Sequence, residues 1–90
     1  MTSSKFSAEL TSIVKDKLQI SPEQLINIRV FLEEDAIIEK VTAELDAKGM
    51  EIKDVQEGPN VLVKGSIMVK DLPAVNSVAE VDRVEYDRNY

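Results

Sequence analysis

The sequence predicts one small α+β domain, a four-stranded antiparallel sheet with two helices on one face and an extra helix in front. Three observations predict it. Segments of period-two hydrophobicity alternate with segments of helical period, and Gly, Pro and Asn punctuate them. A length of 90 residues, 43% of them hydrophobic and 31% charged, suits one compact core and is too short for two.

The first element runs from Ser3 to Leu18, where Phe6, Leu10, Ile13, Val14 and Leu18 recur at helical spacing and Ser4 or Ser7 can act as N-cap. Ser21-Pro22 ends it, because proline disfavours helical geometry in the residue before it. Leu25 to Leu32 then alternates as a strand, with Ile26, Ile28, Val30 and Leu32 on one face and Asn27, Arg29 and Phe31 on the other. Glu33-Glu34-Asp35 places negative charge at the start of a second helix, where the macrodipole favours it. Ile37, Ile38, Val41, Leu45 and Ala47 form that helix's apolar stripe, and Gly49 stands where a left-handed C-cap belongs.

Met50 to Glu57 reads as a second strand, with Met50 and Ile52 on one face and Val55 on the other. Gly58-Pro59-Asn60 is a turn, and Val61 to Ile67 returns as a third strand to make a hairpin. Val69 to Val78 reads as a short helix with Pro73 in its first turn. Val81 to Tyr86 is the last strand, before the polar tail Asp87-Arg88-Asn89-Tyr90. After the leading helix the order is therefore βαββαβ, that of the ferredoxin-like sandwich. Residues 1–24 form the helix and linker, and 25–90 the domain.

Composition narrows the function. The net charge is −6 and the isoelectric point about 4.6, which disfavours nucleic acid and anionic membrane as partners. The chain has no cysteine and no histidine, so Ser-His and Cys-His nucleophiles and sulfur-ligated metals are excluded. Gly49, Gly58 and Gly65 are isolated and make no phosphate loop. Glu33, Glu34 and Asp35 read as a solvated helix start, and Glu80, Asp82, Glu85 and Asp87 lack the spacing of a calcium loop. No enzyme activity, metal or cofactor is expected. Lys5, Glu9, Lys15, Asp16 and Lys17 interrupt the N-terminal segment, so neither a secretory signal nor a membrane span is expected. A cytoplasmic chain and an already processed secreted one both fit.

What remains is a surface. With helices over the Ile26–Leu32 face, the opposite face presents Arg29 and Phe31, joined by Val55 and Leu62 from the hairpin. Neighbouring apolar groups rimmed by polar ones mark binding sites, unless the leading helix folds over them.

The C-terminal third adds a resemblance. Leu72-Pro73-Ala74-Val75, then Val78, Val81 and Val84-Glu85-Tyr86-Asp87, resemble the closing helix and strand of the subtilisin propeptides, a peptidase-inhibitor family with the pattern V-x-x-V-E-x-D. Ile28-Arg29-Val30-Phe31-Leu32, the helix ending at Gly49 and the hairpin at Asn60-Val61 extend it over residues 25–87. The resemblance implies an intramolecular chaperone or tight inhibitor of a subtilisin-like serine protease, bound through the open sheet face. It implies that Glu85 and Asp87 reach helix N-termini on the protease, and that Tyr90 leads the tail into the specificity pocket. The family pattern does not include the helix before residue 22, which can dock on the domain, pair two copies or bind another protein. The tail beyond Asp87 is three residues long, short for reaching an active site. With no protease domain following, the form the resemblance implies is a free-standing inhibitor or chaperone. The alternative is a non-inhibitory interaction or homodimerisation module on the same fold.

Overall fold

The structure is a computed structural model describing residues 5–87, and its central element is β1 (Leu25–Leu32). Along β1 the residues Ile26, Ile28, Val30 and Leu32 are buried while the alternate residues are not, the period-two signature of a half-covered strand. β3 (Leu62–Met68) pairs with β1 on one side and β4 (Val81–Tyr86) on the other, both antiparallel. β2 (Glu51–Gln56) pairs with the outer side of β3, giving the order β2-β3-β1-β4. This is the ferredoxin-like arrangement. Val30 sits between Val63 and Val84, and Ile26 opposite Ile67, so the buried residues of three strands share one face.

Helix α2 (Ile38–Ala47) follows β1 and buries Val41 and Leu45 on that face. Its end is a Schellman motif. Gly49 adopts φ +103°, its N–H bonds to the Asp46 carbonyl, and the Met50 N–H bonds to Leu45. Met50 and Leu45, joined by that last bond, are both buried. The helix start differs from expectation. Glu33, Glu34 and Asp35 lie in a turn ahead of it, closed by the Ala36 N–H on the Glu33 carbonyl, and only Glu39 is acidic in the first turn. Ile37 becomes the N-cap and is exposed, as is Ala47, so neither joins the stripe.

The second crossover is shorter than the predicted Val69–Val78 helix. It consists of a 3₁₀ turn (Val69–Asp71) and one α turn, α3 (Leu72–Val75). Its apolar residues Val69, Leu72, Val75, Val78 and Val81 stand three apart and are all buried. At α-helical pitch a three-residue spacing drifts round the axis, whereas at 3₁₀ pitch positions i and i+3 eclipse. The backbone accordingly continues with i to i−3 bonds: Asn76 to Pro73, Ser77 to Ala74 and Val78 to Val75.

A crossover this short covers little sheet, and α1 (Ala8–Ile20) supplies the missing cover. It lies against β4 and the 3₁₀ turn, and its Leu10 and Val14 belong to the same core as Val41, Leu72 and Val84. Ser7 is its N-cap, the side chain accepting the Leu10 N–H at 3.2 Å. The helix therefore starts later than Ser3 and runs two residues past Leu18. Phe6 sits ahead of it in a parallel bridge to Val84, secured by Ser7 N–H to Val84 O and Val84 N–H to Lys5 O. Lys5 adds its N–H to Asn76 Oδ1 and its Nζ to the Val78 carbonyl. The outer edge of β4 is thus occupied by the chain's own arm.

Candidate functional site

The face of the sheet turned away from the core is not covered by any described helix. Strand register decides what it carries. Phe31 stands between Leu62 of β3 and Arg83 of β4, and Arg29 between Lys64 and Glu85. Leu25 and Met68 face each other at the far end of β1. Phe31 and Leu62 are half-buried and take no part in the core.

The polar groups around them are ordered by one another. Arg83 lays its guanidinium over the Phe31 ring, with the central carbon 4.4 Å from the ring centroid, a cation–π contact. Its Nε also forms an ion pair with Glu85 Oε2 at 3.0 Å. Glu85 Oε1 accepts from Arg29 Nη2 at 3.3 Å, so one carboxylate links two guanidinium groups and, through Arg83, an aromatic ring. Each carboxylate oxygen accepts more than one hydrogen bond, so Glu85 retains acceptor capacity toward an incoming N–H. Arg29 Nε is buried with no acceptor. Its fork is thus only partly used, which desolvates a charge without full compensation. Beside this network Lys64 stands directly opposite Asp54. The face combines an apolar centre with paired charges of both signs, although the whole chain carries −6.

The sequence-predicted residues divide. Arg29, Phe31, Leu62 and Glu85 meet on this face as expected. Val55 does not. β2 carries a bulge between Ile52 and Asp54, so Lys53 is the extra residue and the alternation inverts past it. Val55 consequently pairs with Val63 and packs against the core with Ile52, and Asp54 takes the open-face position instead. Asp87 follows β4 opposite Asn27, with its N–H bonded to the Asn27 carbonyl, and at 5% exposure it is buried where an open polar edge was expected. Tyr90 lies outside the described residues.

Arg83 is the site residue that alternation could not assign, whereas Lys64 lies two residues from Leu62 on the same face. Val81 and Val84 both face the core although three apart, because the β1–β4 register shifts between Phe31 and Leu32. The Val-x-x-Val spacing within a strand is the signal that would have placed the bulge at Asp82 and Arg83 on the open face.

Among the described residues, no cluster of three or more acidic side chains could hold a metal ion, and no helix is long and apolar enough to cross a membrane. Fold and face together define a ferredoxin-like domain with an uncovered sheet surface. Comparison with protein-family models, curated proteins and solved structures finds no match to this chain.

Proposed function

We propose that the chain is a protein-binding domain whose contact surface is the open sheet face centred on Phe31 and Leu62, used as the subtilisin propeptides that the sequence resembles use theirs. The observation that carries this reading is the ordering of an uncovered apolar pair by Arg83, Glu85 and Arg29. Side chains already held in place lose little entropy on binding, and an aromatic beside arginines is the composition of interface hot spots. Glu85 sits on the face itself, so its remaining lone pairs suit the unpaired N–H groups of a partner's helix N-terminus. The partner class drawn from the resemblance is a subtilisin-like serine protease.

Titrating the protein into a subtilisin-type protease while following peptide hydrolysis tests this. Inhibition that Phe31→Ala or Leu62→Asp abolishes supports the reading. Absence of inhibition at tens of micromolar rejects the protease as partner, and inhibition indifferent to both substitutions rejects the face.

A further inference from the structure

A second surface lies on α1, away from Phe31 and Leu62. Four large apolar side chains are exposed among the described residues, and three of them, Leu18 (41%), Ile20 (81%) and Leu25 (56%), flank the Ser21–Gln24 connection. Beside them is a shallow cleft of about 200 Å³, lined by Ile13, Asp16, Lys17, Ile20, Ser21 and Gln24. That is below the roughly 300–1,000 Å³ of small-molecule pockets. It has the scale of a single side chain.

The four helical lining residues are numbered 13, 16, 17 and 20, an i, i+3, i+4, i+7 set that forms one stripe. Their chemistry is symmetric about its midpoint. Isoleucine stands at both ends, and a carboxylate and an ammonium lie adjacent at the centre. Among the described residues the Asp16 side chain makes no ion pair or hydrogen bond, and the Lys17 ammonium donates only to the neutral Gln24 Oε1 at 3.2 Å. Two such helices packed antiparallel about a two-fold axis between residues 16 and 17 place Ile20 of one against Ile13 of the other. The same operation places each Asp16 against the partner's Lys17. A two-fold interface requires a patch that complements itself, and this stripe does so in residue order and in charge.

We infer that α1 is a homodimerisation helix, pairing antiparallel with α1 of a second copy through Ile13, Asp16, Lys17 and Ile20. Leu25 lies about 20 Å along β1 from Phe31, so the dimer forms beside the far end of the strand from Phe31 and Leu62. The inference does not rest on protease binding.

Sedimentation velocity of the full chain over a rising concentration series tests it. The wild type is expected to shift from monomer to dimer, and Ile20→Glu to stay monomeric throughout. Because Ile20 is exposed, circular dichroism should show that variant folded. Asp16→Lys and Lys17→Asp each break both symmetry-related pairs and should weaken association by about five- to tenfold. The double variant D16K/K17D restores opposite charges across the axis and should return close to wild-type affinity. Phe31→Glu, on the other surface, should leave the dimer unchanged. A wild type that stays monomeric, an Ile20→Glu chain that dimerises normally, single reversals without effect, a double variant no tighter than the singles, or dissociation by Phe31→Glu overturns the inference.

Discussion

The two faces of the sheet are made by the same strands, residue by alternate residue, yet they are held by different forces. On the core face Val30, Val63 and Val84 sit side by side under helices, and their contribution is area removed from water. On the open face the corresponding positions are Phe31, Leu62 and Arg83, where water remains and the interactions are a cation–π contact and partly exposed ion pairs. The first kind of contact contributes kilocalories per residue, the second tenths to about one. The contrast teaches that β1 has one face selected for folding and another that folding hardly requires.

The largest expected effect is therefore at the centre of the core face. Ile28 is fully buried in the middle strand, and Ile28→Ala should destabilise the protein by about 2–5 kcal/mol, read from urea unfolding. A loss below 1 kcal/mol would mean that the core face is loosely packed, and the contrast with the open face would fail.

Next comes Gly65, which faces Ile28 and Ile52 on the same side of the sheet. A Cβ there would run into the Glu51 backbone carbonyl and approach the Met50 terminal methyl to 2.9 Å. The side chain of Met50 can move, but the strand backbone cannot easily do so. Gly65→Ala is expected to cost about 1–3 kcal/mol by overpacking. If the variant is as stable as the wild type, β2 is free to shift, and the bulge that turns Val55 inward is not fixed. Gly49→Ala should follow at about 1–2 kcal/mol, because φ +103° strains any side chain and the new Cβ would lie 2.9 Å from Asp71 Oδ2. Unfolding midpoints rank the two glycines directly.

These positions also show what was legible in the sequence. Gly49 was, because a glycine closing a helical stripe has one common use, and the βαββαβ order followed from apolar segments separated by turn residues. Val55 was not, since a bulge leaves composition and propensity untouched and is fixed by pairing across strands. The 3₁₀ crossover was legible in the three-residue spacing from Val69 to Val81, a period that a search for α-helical stripes passes over. Phe6 was read as helix because its spacing to Leu10 is helical. Its bridge to Val84 joins residues 78 positions apart and follows from the room that the short crossover leaves. On the open face Arg29, Phe31 and Leu62 were accessible from alternation, and Glu85 entered through the resemblance. Arg83 needed the β4 register, and the burial of Asp87, opposite Asn27 at the end of the sheet, is not visible in its own sequence neighbourhood.

The smallest expected effect isolates the open face. Arg29→Met keeps the aliphatic stem, removes the buried Nε that has no acceptor, and leaves Glu85 paired with Arg83. At the one-third side-chain exposure of Arg29, solvent screening makes its ion pair weak, so the lost attraction and the relieved desolvation nearly offset. Stability should change by less than about 1 kcal/mol in either direction, whereas binding through this face should weaken. The comparison is sharpest when both are measured on one preparation, by urea unfolding and by titration against the protease. A stability loss of about 2 kcal/mol or more would make the Arg29–Glu85–Arg83 network part of what holds the sheet together. The two faces would then no longer divide into one that folds the chain and one that meets a partner.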